Sequence, residues 1–190
     1  MNYHKKDLKK KILNITYKLV NEKGYQNVSV RMIARELGVS STAIYRHYES
    51  YSDLMHHVIE KGEHLFSNYL LVNYDKKVSL LEQLQIIAKN FITFVLEYPF
   101  LYDLMFTSKY TPITSEEDMI CEFETQGMAQ LLHIVDSIIH EEQLNTNLKT
   151  LLTHLWAYIL GYSYLVRFHH FKIDYILIKQ AIESILGGNK

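Results

Sequence analysis

The chain has 190 residues and a formal net charge of −1, and 48% of its residues are hydrophobic. This length and composition suit one or two small domains that each bury an apolar core. The single cysteine excludes an internal disulfide, and no apolar run is long enough to span a bilayer. We therefore expect a cytoplasmic protein with no membrane partner.

The nearly neutral charge is the sum of two regions of opposite sign. Residues 1–50 contain ten Lys and Arg against four Asp and Glu, a balance of +6, whereas residues 51–190 have a balance of −7. A basic segment joined to an acidic one indicates a nucleic-acid-binding module attached to a domain with another role. The lysines between Lys5 and Lys11 favour phosphate contacts, although a solvated helix face explains them as well.

The basic region contains three predicted helices. The first is expected at residues 5–23. Ser29 can cap the second, whose apolar residues recur at helical spacing, and Gly38 suits the tight reversal that follows. Ser40 can cap a third helix, expected at residues 41–48. Two short helices joined by so tight a turn predict a helix-turn-helix.

The third helix has two different faces. Ile44 and Tyr48 lie four residues apart and are expected to point inward. The opposite face is rich in hydrogen-bond donors and flat rings, and a helix of this width fits the major groove of DNA. Its residues are Thr42, Ala43, Tyr45, Arg46 and His47.

The run ELGVSSTAIYRHYESYSDL, from Glu36 to Leu54, resembles the DNA-binding signature of the TetR/AcrR family of bacterial transcriptional regulators. Two residues depart from the usual family pattern. Tyr48 stands where the family usually has phenylalanine, which keeps the ring. Tyr51 stands where it usually has lysine, which removes a cation expected near a DNA phosphate. The matching positions are Ile33, Ala34, Gly38, Val39, Ser40, Ile44, Tyr45, His47, Tyr48, Ser50 and Leu54.

The resemblance implies an all-α fold of nine helices, with a helix-turn-helix head in residues 1–50 and an effector-binding and dimerisation body in residues 51–190. It implies a dimeric regulator, a repressor that leaves a palindromic operator in double-stranded DNA when a small, largely apolar ligand binds. Thr42, Ala43 and Arg46 are expected to reach base edges, and the other contacts to reach the backbone. The full predicted DNA-binding set is Ser29, Arg31, Ser40, Ser41, Thr42, Ala43, Tyr45, Arg46, His47 and Tyr51.

Capping patterns and helix breakers mark the remaining helices. Ser50 with Asp53, and Ser115 with Asp118, have the spacing of capping boxes. The segments Phe94–Phe106 and Leu155–Leu165 resemble one type of TetR ligand-binding domain, but Leu160 occupies a position where that type often has histidine. The predicted helices are residues 50–73, 79–98, 99–107, 115–141, 146–169 and 174–186.

Two surfaces of the body are predicted. Aromatic and methionine side chains suit recognition of apolar ligands, although a packed core explains any one of them as well. The predicted pocket residues are Phe91, Phe94, Tyr98, Tyr102, Met105, Phe106, Met119, Phe123, Met128 and Trp156. The last two helices are expected to form a four-helix interface with a second subunit. Its predicted residues are Leu151, Leu155, Ile159, Tyr162, Val166, Ile178, Ile182 and Ile185.

Other functions have weaker support in the sequence. A ligand-independent repressor with a filled core would bind DNA in the same way. A helical enzyme is not expected, because the chain has no phosphate loop or nucleophile elbow, and no spacing selects Glu97 or Asp103 as an acid–base pair. The ten histidines lack a typical zinc ligand spacing, and Cys121 has no partner thiol for redox sensing. We therefore expect neither a metal nor a cofactor.

Overall fold

A computed structural model describes residues 3–111 and 125–189, without the side chains of residues 3–6. Within these ranges the chain is all-α and contains no strand, as predicted. None of its described helices combines the length and the apolar character that crossing a bilayer requires. The helices are α1 (Tyr3–Lys23), α2 (Val30–Leu37), α3 (Ser41–Tyr45), α4 (Tyr51–Leu70), α5 (Leu80–Glu97), α6 (Pro99–Tyr102), α7 (Gln126–Glu141), α8 (Leu148–Phe168) and α9 (Tyr175–Gly187).

Local hydrogen bonds set the limits of the first helices. The Ser29 hydroxyl accepts from the Met32 N–H at 3.3 Å, and the Ser40 hydroxyl accepts from the Ala43 N–H at 3.2 Å. Gly38 ends α2 in the left-handed conformation, with φ 65°, which glycine adopts without strain. The predicted caps of α2 and α3 are therefore present.

Two helices are shorter than predicted. Helix α3 stops at Tyr45 and the chain turns at Arg46, so this helix has five residues rather than eight. Helix α4 stops at Leu70 rather than Asn73. The buried Asn90 amide donates to the Leu70 and Val72 carbonyls at 2.9 and 2.8 Å and so replaces the helical partners that these groups lack.

The chain forms two compact units, Met1–His64 with Tyr98–Pro112, and Leu65–Glu97 with Ile113–Lys190. The sequence boundary at residue 50 differs from this division. Lys61 of α4 explains part of the difference, because its ammonium donates to Asn14 at 2.6 Å and lies 4.8 Å from the centre of the Tyr17 ring, and both partners belong to α1. The first half of α4 is thus part of the head.

Segment 98–111 also belongs to the first unit. After Pro99 opens α6, the helix continues into a π-helical turn at Asp103–Thr107. Gly62 allows this segment to approach α4, since a Cβ there would lie 2.9 Å from a Leu101 methyl and 3.0 Å from the Met105 sulfur.

In the second unit, the start of α7 packs directly on α4. The Gly127 N–H donates to the Ser67 hydroxyl at 2.8 Å, and both residues are buried. A Cβ at Gly127 would collide with the carbonyl group of Ser67, a backbone group that cannot rotate away. The predicted capping pair Ser115 and Asp118 lies outside the described residues, as do Met119, Cys121 and Phe123.

Gly127→Ala is expected to lower the free energy of unfolding by about 1–3 kcal/mol, because the added methyl forces α7 away from α4. Urea unfolding followed by circular dichroism measures the change. Gln126→Ala, at the exposed neighbouring position, serves as the control and should leave the midpoint unchanged. Equal urea midpoints for the two variants would show that α7 can shift away from α4 without loss of stability.

Candidate nucleic-acid interface

Helix α3 presents its polar face outward. Tyr45 is 50% exposed, and Thr42 and Arg46 are also exposed. Ile44 and Tyr48 are buried at 1% and 2% exposure, as their spacing predicts. The side chains expected to read DNA therefore lie on the surface, while the inward pair fixes the helix to the head.

Tyr48 makes a contact that phenylalanine cannot make. Its hydroxyl donates to the Lys9 carbonyl at 3.0 Å, and the Lys9 ammonium lies 5.2 Å from the ring centre. Burial raises the pKa of Tyr48 to about 12, with smaller contributions from the charges of Asp53 and Glu60. The hydroxyl thus remains a donor at neutral pH and ties the end of the helix-turn-helix to α1.

Tyr51 also bonds inside the head. Its hydroxyl donates to the Val28 carbonyl at 2.8 Å and lies 3.5 Å from the Tyr25 carbonyl. Burial raises the pKa of Tyr51 to about 12, and Tyr110 adds to the shift. The expectation that this hydroxyl steadies the protein on the DNA backbone needs correction, because its single hydrogen already has an acceptor within the protein.

The ring of Tyr110 lies among other rings of the first unit. Its centre is 6.0 Å from that of Tyr25, 6.3 Å from that of Tyr51 and 6.4 Å from that of His56, all in edge-on geometry. Sequence reasoning missed this cluster, since Tyr110 falls in a predicted loop about sixty residues after Tyr51 and no local pattern links them.

An open cleft brings five of the predicted DNA-binding residues together. It is lined by Ser29, Arg31, Ser41, Tyr45 and Tyr51, with Val28 and Val30. The N-terminus of α2 forms part of this cleft, and the unpaired N–H groups and dipole of a helix N-terminus favour an anion. The Arg31 side chain is exposed beside it. The cleft therefore offers a phosphate oxygen both a cation and backbone donors.

The other five predicted residues lie outside the cleft. Ser40 is the cap of α3, and Thr42 and Ala43 lie on the first turn of that helix. Arg46 and His47 follow its end, where the chain turns. They form a second surface, along α3 itself.

The second unit contains an apolar cavity of about 40 Å³. Of the predicted pocket residues that the structure describes, two line it, Phe91 and Trp156. Phe94 is instead core, with its ring centre 5.0 Å from that of Phe66, and Met128 is also fully packed. The residues that line the cavity are Leu70, Leu84, Ile87, Ala88, Phe91, Leu131, Leu152, Leu155, Trp156, Tyr158, Ile159 and Ile182.

Four other predicted pocket residues are in the wrong unit for this cavity. Tyr98, Tyr102, Met105 and Phe106 follow α5, where the chain returns to the first unit. Aromatic content alone does not reveal this change, because both units need aromatic side chains for their cores.

The residues predicted for the dimer interface also need correction. Seven of the eight are buried within the single chain, at 0–9% exposure, and Ile185 is half-buried. Leu155, Ile159 and Ile182 line the cavity, so they face inward. The Tyr162 hydroxyl accepts from the Asp174 N–H and donates to the Lys172 carbonyl, which closes the loop before α9. The buried set is Leu151, Leu155, Ile159, Tyr162, Val166, Ile178 and Ile182.

Tyr51→Phe is expected to weaken the start of α2 by about 1 kcal/mol, because the Val28 carbonyl loses its donor. Amide hydrogen exchange of residues 28–37 measures the loss of protection. Tyr45→Phe removes an exposed hydroxyl from α3 and is the matched control. Unchanged exchange in Tyr51→Phe would mean that the hydrogen bond adds nothing to local stability.

Residues 12–58 match the model of the TetR_N family, described as bacterial regulatory proteins of the tetR family. The chain is 26% identical over 145 residues to the HTH-type transcriptional regulator SAR2658 of Staphylococcus aureus (strain MRSA252), which covers 67% of this chain and 78% of that protein.

Two solved structures have the same fold. The TetR family transcription regulator of Marinobacter aquaeolei VT8 is similar with a TM-score of 0.67 and 20% identity, over 98% of this chain and 97% of its own. The TetR-family regulator HI0893 of Haemophilus influenzae RD gives a TM-score of 0.65 and 17% identity, over 97% of each chain. With the helix-turn-helix described above, residues 12–58 are a DNA-binding region of the tetR family of bacterial regulatory proteins, and the described chain has the fold of TetR-family regulators.

Proposed function

We propose that the protein is a homodimeric repressor that binds a palindromic operator and leaves it when a small, largely apolar ligand enters the second unit. The observation that carries the DNA part is the exposed polar face of α3 beside the cleft at the N-terminus of α2. One surface offers donors to base edges and the other offers donors to phosphate, which are the two kinds of contact that specific binding requires.

The proposed contacts follow from position. Arg46 is exposed directly after α3, where its planar fork can donate twice to one guanine. Thr42 and Ala43 lie on the same helix and are proposed as its other base contacts. Arg31 and Ser41, in the cleft, are proposed as phosphate contacts.

A second copy of the chain is the proposed occupant of an apolar surface on α8 and α9. Seven of the exposed large apolar side chains lie within fourteen residues of sequence, and a patch of this kind marks an interaction surface. We call this set the outer patch. It consists of Tyr164, Leu165, Phe168, Phe171, Tyr175, Ile176 and Leu177.

Gly161 supports the same proposal. It lies inside α8, where glycine costs about 1 kcal/mol relative to alanine, and nothing in the described part of the chain comes within 4 Å of where its Cβ would be. Ala157 and Gly161 are exposed one turn apart, followed by Tyr164 and Phe168 at the same helical spacing. No contact within the described chain requires glycine at position 161. The close approach of a second backbone in the proposed dimer would explain it.

A ligand-independent repressor is the second candidate. The observation that favours it is the size of the cavity, since about 40 Å³ is far below the roughly 300–1,000 Å³ of typical ligand pockets. This candidate shares the DNA and dimer surfaces and differs only in its response to ligands.

Arg46→Ala is expected to weaken operator binding by about 1–3 kcal/mol and to relax the preference at one base pair, while binding to random DNA falls much less. The operator is first selected from genomic fragments, and fluorescence anisotropy then gives both affinities at fixed salt. Arg35→Ala removes the same charge from the exposed end of α2. It should reduce the affinities for operator and for random DNA by the same factor. If Arg46→Ala behaves like Arg35→Ala, Arg46 contacts phosphate rather than a base.

The double substitution Tyr164→Glu with Phe168→Glu is expected to give a monomer, because two charges in the outer patch remain unpaired when a second copy approaches. Sedimentation velocity measures the mass. Leu96→Glu places a charge at an exposed apolar site on α5 and should leave the dimer intact. A double variant that sediments as the wild type would remove the outer patch from the interface.

Gly161→Leu distinguishes an effect on the proposed dimer interface from an effect on the stability of helix α8. In an isolated chain the open space around Gly161 accepts the new side chain, and leucine favours the helix. In the proposed dimer the side chain blocks the approach of the second backbone. We therefore expect an unchanged circular dichroism spectrum, which shows a folded protomer, and a dimer dissociation constant raised at least about tenfold in sedimentation equilibrium.

A further inference from the structure

The cavity of the second unit has an almost wholly hydrocarbon wall. None of the described residues that line it is Asp, Glu, Lys, Arg or His. The polar side-chain groups among them are the Tyr158 hydroxyl and the Trp156 indole N–H. An ion placed here would lose its hydration without gaining a counter-charge, which excludes charged ligands on energetic grounds.

Tyr158 is the unusual member of the wall. Its hydroxyl oxygen is buried and has no hydrogen-bond partner among the described residues. Buried polar groups are rarely left unpaired, because a lost partner costs free energy that water would otherwise supply. Burial raises the pKa of Tyr158, and the charges of Tyr162 and Asp174 raise it further by smaller amounts. The Tyr158 hydroxyl therefore stays neutral and can donate a hydrogen bond.

Tyr162 offers a direct comparison on the same helix. The rings of Tyr158 and Tyr162 are stacked, with centres 5.9 Å apart and planes 9° apart. The Tyr162 hydroxyl, however, is paired on both sides, at 3.1 Å to the Lys172 carbonyl and 2.9 Å from the Asp174 nitrogen. Two tyrosines one turn apart thus differ in whether the folded chain satisfies them.

We propose that the cavity binds an uncharged, mainly apolar molecule with one oxygen acceptor, and that this oxygen accepts the hydrogen of the Tyr158 hydroxyl. The inference rests on the proposed ligand-responsive function and specifies its effector class. An aryl ketone, an ether or a neutral phenol has this chemistry, whereas a carboxylate or an ammonium ion does not.

Because the cavity is small, a larger ligand can bind only to a conformation in which the cavity is wider. A space of about 40 Å³ holds a few water molecules but no aromatic ring. A ring-sized ligand therefore binds a state in which α5 and α8 lie further apart, and it shifts the population toward that state. Leu155 and Ile159 line the cavity from one face of α8, and Tyr164 and Phe168 of the outer patch lie on its exposed face. Movement of α8 thus reaches the proposed dimer surface within the same helix.

The test compares acetophenone with ethylbenzene, two molecules of nearly equal size of which only the ketone has an acceptor oxygen. Isothermal titration calorimetry on the full-length protein should show that the ketone binds about three- to tenfold more tightly, the value of one hydrogen bond. Benzoate should not bind. Equal affinities for the ketone and the hydrocarbon would overturn the proposal, as would binding of benzoate.

Tyr158→Phe and Tyr162→Phe form the matched pair of variants. Tyr158→Phe should abolish the preference for the ketone and leave the melting temperature of the ligand-free protein unchanged or higher, because an unpaired hydroxyl is removed. Tyr162→Phe should lower the melting temperature and retain the preference. A Tyr158→Phe variant that still prefers the ketone, or that loses stability as Tyr162→Phe does, contradicts the assignment.

Operator binding by the same proteins separates this inference from the proposed function. If all variants bind the selected operator but the wild type shows no preference for the ketone, the ligand class is wrong and the DNA-binding function stands. If the wild type selects no operator, the regulator proposal fails whatever the calorimetry shows. If the ketone binds as expected and lowers operator affinity while ethylbenzene at equal concentration does so less, both proposals are supported.

Discussion

The second unit depends on one constraint, that the second half of helix α8 is apolar on two faces at once. An amphipathic helix normally buries one stripe and exposes a polar one. Here Leu151, Leu155 and Ile159 are buried, while Tyr164 and Phe168 are about half exposed on a different side. Apolar side chains exposed on the second face are stabilised when another surface covers them. The inner side is covered by the chain itself, and a second copy of the chain is our proposed cover for the outer side.

The same property explains why residues predicted for the dimer interface are buried within the described chain. The period of an α-helix shows which residues share a face but does not say which face points inward when both are apolar. The aliphatic residues Leu151, Leu155 and Ile159 recur at regular helical spacing, which favours their face in the sequence. Small and aromatic residues, Ala157, Gly161 and Tyr164, were the signal for the outer face. Gly161 is the strongest of these, since an exposed glycine inside a helix lowers stability and the described chain gives no reason for it.

The fold itself was largely predictable because its signals are local. Ser29, Ser40 and the pair Ser79 and Glu82 bond within three residues of sequence, so residue type and spacing define each helix start. The pocket was not predictable in this way. The aromatic residues from Phe91 to Phe106 form one run in sequence, but the chain passes from one unit to the other near Tyr98. Only contacts distant in sequence determine where each ring is buried.

In the head, the two departures from the usual family residues have one physical consequence. The hydroxyls of Tyr48 and Tyr51 each donate a hydrogen bond to a backbone carbonyl that is distant in sequence. The acceptors are the carbonyls of Lys9 and Val28 respectively. Phenylalanine in the first position would bury the ring without that bond, and lysine in the second would point a charge toward DNA.

The head has therefore exchanged a mobile surface cation for fixed internal hydrogen bonds. One cation fewer means one phosphate contact fewer, which makes binding less dependent on salt. A more rigid head orders fewer groups when it docks, so less conformational entropy is lost on binding. The two effects act in opposite directions on affinity, and only the lost phosphate contact reduces the share of binding that is independent of sequence. If the head binds DNA as proposed, the base contacts of α3 therefore supply a larger share of operator binding than they would with lysine at position 51, because a phosphate contact carries no sequence information.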